Sequence, residues 1–265
     1  MTRALTILIF AILLGCKPTP KPAERIIDTT AIRLNAEERQ FIKDHPVVTW
    51  ALDANRPPII FVDKHQTVHG RVPVYLAIIT KKTGLHFKPV PVGSLSDGLE
   101  AVKNGYIDIV TSVQPSNVSN RNDYMSFSAP FANYQGVFLL RYNDRANSPL
   151  TVGLQRDDSA KEYLMESFPG IRIIEVDEHE EAITLLARGS VDLVVLNEST
   201  ADFFMPKFGT RLHKANTNFK YHTGFGYKKE NVILGSILSK AIKSISQADK
   251  DYINEAWRSE DDNRY

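Results

Sequence analysis

The feature that most constrains the fold is a pattern that occurs twice. Leu99-Glu-Ala-Val-Lys-Asn-Gly105-Tyr-Ile-Asp108-Ile-Val returns as Leu185-Leu-Ala-Arg-Gly189-Ser-Val-Asp192-Leu-Val-Val. Each copy reads as the end of an amphipathic helix stopped by glycine, a short turn, then a buried strand led by aspartate. The copies lie too far apart for a short-period repeat array. Two α/β units of similar build would give this pattern. Helix–glycine–strand is also common α/β grammar, so it does not by itself establish a duplication.

The rest of the chain extends the same alternation. Asn35 is placed to cap a helix, with Glu38 at capping-box spacing, and His45-Pro46 ends it. Residues 47–52 read as a strand, 72–82 as a helix with Val72, Leu76 and Ile79 on one face, and 94–104 as a helix capped by Ser94 with Asp97. Strands over 136–141, 150–154, 171–176 and 191–196 alternate with helices over 159–167, 179–188 and 198–206, which argues a mostly parallel sheet in each unit. The chain returns as a strand over 221–227. Two helices close it, one over 231–244 with an apolar stripe and one capped by Ser246.

Composition narrows the functions. The 265 residues are 43% hydrophobic and 24% charged, with a net charge of +1. That is a globular composition, and with no basic run in the folded part it offers no support for nucleic-acid binding. The histidines are scattered, without zinc-site spacing, so no metal is expected. Phosphate-cradling glycine loops and Gly-x-Ser-x-Gly are absent, and no cofactor is implied.

Residues 1–16, MTRALTILIFAILLGC, have a basic start and an apolar run too short for an ordinary transmembrane helix. Leu13-Leu14-Gly15-Cys16 resembles the bacterial lipoprotein box, which implies a signal peptide over 1–15 and lipid on Cys16. Lys17 stands where aspartate often marks inner-membrane retention, so the resemblance favours the outer membrane. Cys16 is the single cysteine. Prolines 18, 20 and 22 make 16–34 a tether that holds the body off the membrane.

The stretch from Gly105 to Phe131 carries the site. An apolar strand over 107–110 runs into a polar loop with one arginine, Arg121, ahead of Phe127-Ser-Ala-Pro-Phe131. A cation leaving the end of a buried strand stands where open α/β sheets bind ligands. On position alone it reads equally as a solvated loop charge.

Gly105-x-x-Asp108, a hydroxyl-bearing loop, and Arg121 six residues before Phe-Ser-x-Pro-aromatic resemble the family 3 extracellular solute-binding proteins. The resemblance runs from residue 34 to about 259. It implies a two-lobed, type II periplasmic-binding-protein fold of α/β class. Lobe 1 would span 35–141 and 222–265 and lobe 2 would span 142–221, with crossings near 140–142 and 221–226. In that family the arginine at position 121 grips a ligand carboxylate, helped here by Ser112 and the neighbouring Thr111.

Departures from the family shape the expected ligand. Arg56 and Ile59 replace an aromatic residue and its Pro-Phe neighbours, and Arg56 is either a second anion contact or a rim charge. Asn197, five residues after Asp192, replaces the acid that meets a ligand ammonium. Asp157 and Asp158 replace small residues at a helix start. They either suit the helix dipole or meet a cationic or hydroxyl-bearing part of the ligand.

The expected function is a monomeric, lipid-anchored periplasmic protein closing on a small carboxylate-bearing solute. Its partner would be an ABC permease or a membrane sensor kinase or cyclase. The leader helix and closing helices resemble sensor-kinase flytraps, and the leader also resembles the non-catalytic domain of a membrane-bound lytic transglycosylase, leaving a peptidoglycan-fragment binder open. An enzyme on this scaffold, such as a cyclohexadienyl dehydratase, is the other alternative.

Overall fold

A computed structural model describes residues 26–117, 119–142 and 149–257. The expected signal peptide over 1–15, Cys16 and most of the expected tether over 16–34 lie outside the described residues. Helix α1 (Ala36–Asp44) opens the fold, and both halves of its capping box are formed between Asn35 and Glu38. Glu38 is itself buried, its carboxylate accepting from Ser236 Oγ at 2.7 Å and Lys240 Nζ at 2.8 Å. The cap therefore also docks α1 on a helix near the other end of the chain.

Strand β1 (Val47–Asp53) leads to a small three-stranded flap of β2 (Asn55–Arg56), β3 (Ile60–Val62) and β4 (Val68–His69). Helix α2 (Arg71–Thr83), β5 (His86–Val92), α3 (Leu95–Lys103) and β6 (Ile109–Val113) follow. A single turn, α4 (Arg121–Tyr124), precedes β7 (Met125–Phe127) and the ten-residue β8 (Ala132–Arg141). The second unit holds β9 (Thr151–Gln155), α5 (Ala160–Ser167), β10 (Arg172–Val176), α6 (His179–Ala187), β11 (Leu193–Asn197) and α7 (Glu198–Phe208). The 17-residue β12 (Leu212–Lys228) then runs back, and α8 (Val232–Lys243) and α9 (Gln247–Glu255) close the chain.

The strands order β10-β9-β11-β8-β12-β6-β1-β5, with β7 also on β12. Two parallel triplets, β5-β1-β6 and β10-β9-β11, form the two lobes. Antiparallel β8 and β12 join them, so each lobe's sheet is mixed. β12 pairs with β8 from Leu212 to Thr223, with a register shift between Asn216 and Lys220, and its last residues, Gly224–Lys228, pair with β6 and β7. Helices pack the faces of both lobes, burying residues such as Leu99, Val102 and Val110 in the first and Ile183, Leu186 and Phe204 in the second. At roughly 1.5–3 kcal/mol for each fully buried aliphatic side chain, such faces supply the main force holding each lobe.

The repeated sequence pattern does the same work in both places. Gly105 and Gly189 sit at φ +78° and +80°, left-handed positions that end α3 and α6. Asp108 then accepts from the Thr49 amide at 2.7 Å, and Asp192 from the Thr151 amide at 2.8 Å. Each aspartate pins the adjacent parallel strand, β1 or β9, near its start. The strands themselves start slightly later than the apolar runs suggest, at Ile109 and Leu193. The larger difference is β12, expected over 221–227 but beginning at Leu212.

A closed cleft between the lobes

Chain order and strand direction put the site at the carboxyl ends of the parallel strands, where open α/β sheets bind ligands. β1 ends at Asp53 and hands on to Arg56. β6 delivers Ser112 and Val113, and the loop after it reaches Arg121. From the second lobe β9 delivers Gln155 to Ser159, β11 delivers Asn197, and the first turn of α6 presents His179. Of the residues singled out from sequence, Arg56, Ser112, Arg121, Asp157, Asp158 and Asn197 line one cavity. Thr111 does not line it. Its carbonyl instead accepts from Arg56 Nη1 at 3.4 Å behind the wall.

Arg121 is 1% exposed, and each of its three nitrogens makes one hydrogen bond. Nε donates to Ser119 Oγ at 2.7 Å, Nη1 to the Gln114 carbonyl at 3.2 Å, and Nη2 to the carbonyl of Asp157 in the opposite lobe. In this arrangement it ties the lobes together through the Asp157 carbonyl. Asp157 reaches it through a left-handed backbone, φ +58°, at a cost of about 1–2 kcal/mol for a non-glycine residue. Burial draws Arg121 below the ordinary guanidinium range, and Asp157 and Asp158 push it back up.

Arg56 is 6% exposed and reads differently. Nη1 and Nη2 donate to the carbonyls of Thr111 and Ser112, at 3.4 and 3.2 Å. Ser112 turns its carbonyl there at φ +57°. Arg56 Nε is buried with no hydrogen-bond partner, and Asp53 Oδ2 stands 3.8 Å away. Ser112 Oγ and His179 Nδ1 are likewise buried and unpartnered. Burial holds the Asp53 carboxyl above its usual range, against the pull of Arg56.

The Tyr134 hydroxyl, also on this cavity, is buried and unpartnered as well, whereas Asn197, Asp158 and Tyr221 are occupied. Asn197 caps α7, its Oδ1 accepting from the Thr200 amide and its Nδ2 donating to Thr200 Oγ1, both at 2.9 Å. Asp158 accepts from the Ala160 amide at 2.7 Å and the Tyr221 hydroxyl at 3.3 Å, and burial raises its pKa. His179 is pushed down to about 3 by burial and then by Arg56, so its imidazole is neutral at physiological pH.

The lobes also meet around the rim. Ser96 Oγ donates to Asp157 Oδ2 at 2.7 Å, Asn55 Nδ2 to Glu178 Oε1 at 2.7 Å, and Asn117 Nδ2 to Glu162 Oε1 at 2.8 Å. The cavity left between them is about 30 Å³, an order of magnitude below the roughly 300–1,000 Å³ of a small-molecule pocket.

Sequence reasoning did not find Gln114, Tyr134, His179, Tyr221 or Thr223, all of which line the cavity. Tyr134 and Tyr221 stand opposite each other in the β8–β12 register, which could be read only once the full length of β12 was known. His179 begins a helix just after a parallel strand, the kind of position that drew attention to Arg121.

A fold of two strand–helix lobes sharing a pair of crossing strands, with a polar cleft at their strand ends, defines a Venus flytrap. The model of family 3 bacterial extracellular solute-binding proteins matches residues 48–260, and the chain belongs to that family. Over 236 residues it is 25% identical to the virulence sensor protein BvgS of Bordetella pertussis, covering 86% of this chain and 19% of BvgS. The sensor protein EvgS of Escherichia coli is 23% identical over 241 residues, 85% of this chain and 19% of EvgS. The chain thus spans about a fifth of the length of these relatives. The crystal structure of the B. pertussis BvgS periplasmic domain superposes with a TM-score of 0.80 at 24% identity, over 88% of this chain and 47% of that one.

Proposed function

We propose that this chain is a lipid-anchored periplasmic flytrap that senses a small carboxylate-bearing solute in the inter-lobe cleft. The observation that carries the reading is the set of buried, unpartnered polar atoms on facing walls: Arg56 Nε and Ser112 Oγ from one lobe, His179 Nδ1 from the other. Buried polar atoms are ordinarily satisfied, and a guanidinium N–H most favours an anionic acceptor. Arg56 and Ser112 take the carboxylate, and Arg121 with Asp157 holds the lobes shut around it. Asn197 is neutral and already spent as a helix cap, so the site supplies no counter-charge there for an α-ammonium. Organic acids therefore compete at least as well as standard amino acids.

Entry requires the lobes to part, with 35–141 and 222–265 moving against 142–221 on the β8–β12 ribbon. Sensing is favoured over delivery to a permease by the likeness to two sensor proteins. A thermal-shift screen of amino acids, organic acids and muropeptide fragments tests the reading. A ligand at a hundred times its Kd stabilises by about 2.7 kcal/mol. Carboxylates should score and lose their effect in Arg56→Met; stabilisation only by uncharged compounds overturns the proposal. Anchoring through Cys16 is tested by fractionation, since Cys16→Ala should release the protein from the membrane fraction.

One observation favours a second reading. Asp158 is a desolvated carboxylic acid in the cleft with a raised pKa, as a dehydratase proton donor would need to be. Turnover of prephenate or arogenate, lost in Asp158→Asn, would support it. No turnover leaves binding alone.

A further inference from the structure

A second cavity, about 270 Å³, shares Tyr134 with the cleft but is otherwise built from different parts of the chain. The first residue of α2, Arg71, forms one wall, and Asn254 and Asp251 of α9 form another. Ser199, in the first turn of α7, comes from the second lobe. The cavity is therefore also bounded by both lobes, and it includes the last described helix.

Arg71 is 1% exposed. Its Nη2 donates to the Asn254 carbonyl at 3.2 Å, and its guanidinium carbon lies 5.3 Å from the centre of the Tyr134 ring. Nε and Nη1 are buried without a hydrogen-bond partner of ordinary geometry, and the pKa of the buried, unpartnered Tyr134 hydroxyl beside them is raised by burial and drawn back down in part by Arg71. Ser199 Oγ is buried and unpartnered, and so is Asn254 Oδ1. A buried cation is ordinarily paired, so two idle guanidinium nitrogens ask for an anionic acceptor. The amino ends of α2 and α7 add to the same preference. Asn254 Oδ1 is the opposite case, an idle acceptor that asks for a donor. Asp251, exposed on the rim and accepting from Gln247 Nε2 at 2.8 Å, adds negative charge on that side.

We propose that this cavity is a second ligand site, distinct from the cleft, for a small zwitterion. Its carboxylate sits on Arg71 and Ser199, and its ammonium faces Asn254 Oδ1 and Asp251. Asp251 and Glu255 on the rim disfavour multiply charged anions such as phosphate, and the volume suits a compact amino acid. An occupant touching Ser199 on one lobe and Arg71 and α9 on the other has a different affinity for open and closed lobes. It thereby shifts their balance by that difference.

The test follows the arginine Nε–H resonances of the full chain by NMR during titration with glycine, acetate or inorganic phosphate. Glycine should move the Arg71 Nε–H signal saturably, and acetate and phosphate should bind at least ten-fold more weakly. Arg71→Lys could fail to fold, so the variants that decide are Ser199→Ala and Asp251→Asn. Ser199→Ala should weaken glycine and acetate alike, and Asp251→Asn should weaken glycine while sparing acetate. Arg56→Met in the cleft should leave the response intact. The proposal is overturned if the Arg71 signal does not respond to glycine, if acetate or phosphate matches glycine, or if the response disappears in Arg56→Met.

Discussion

Replacing Arg121 with lysine keeps the charge and removes the geometry. The guanidinium serves three acceptors that lie in different directions: Ser119 Oγ, the Gln114 carbonyl and the Asp157 carbonyl. A single ammonium at the end of a stem reaches one of them, leaving two bonds from a charged donor unmade. Each such bond contributes about 1.5–3 kcal/mol, so the loss should be about 3–5 kcal/mol after some recovery by water at the cleft. The share carried by Asp157 acts between lobes, and 1.5–3 kcal/mol there shifts the closed-to-open ratio by about 10- to 150-fold. Urea unfolding should show a lower midpoint with an unchanged slope, and small-angle scattering should show a larger radius of gyration. A variant within 0.5 kcal/mol of the wild type, with the same scattering curve, would refute the idea that Arg121 latches the lobes.

Three further outcomes follow from single residues. His179 has a folded pKa of about 3, below the ordinary value near 6.5, so the folded state binds fewer protons. Its contribution is whole above about pH 6.5 and falls as pH drops, by at most about 1.4 kcal/mol per unit; His179→Gln should flatten that limb in urea titrations at several pH values. Asp158 is raised by burial, so it costs stability as pH climbs above the ordinary aspartate value near 4. Asp158→Asn should therefore be the more stable protein at pH 7 and lose the advantage toward pH 4. A Cβ at Gly235 would stand 2.0 Å from the Tyr227 hydroxyl, so Gly235→Ala should push α8 off β12 and lower stability by about 1–3 kcal/mol in thermal melts.

What could be read from the sequence was local. The caps at Asn35, Ser94 and Ser246 depend on residues three positions apart, and all three side chains accept from the expected amides. The aspartates leading two strands were visible as a repeated position, although their role at the heads of β1 and β9 needed the strand pairing. β12 was hidden because residues 212–220, LHKANTNFK, are mostly polar and read as a loop. They are a strand because β8 pairs with them, and tertiary pairing overrides weak β-propensity. Arg121 was found and its partner was not: the Asp157 carbonyl reaches it through a left-handed backbone turn, which no side-chain pattern announces. Arg71 drew no attention, because a lone arginine opening a helix looks like a surface charge until its burial is known.

The shared strand also sets the order in which the molecule can be made. The open edge of β6 waits for residues 224–227, which emerge only after the whole second lobe has been synthesised. Pairings between segments so remote in the chain form slowly, because the loop between them must close first. Until then the first lobe has an unpaired strand edge, the kind of surface that recruits other chains. A protein that completes neither lobe before most of its length is present stays without a finished core for longer. The same property means that trimming either lobe away would take the ribbon with it, so the two lobes form a single folding unit.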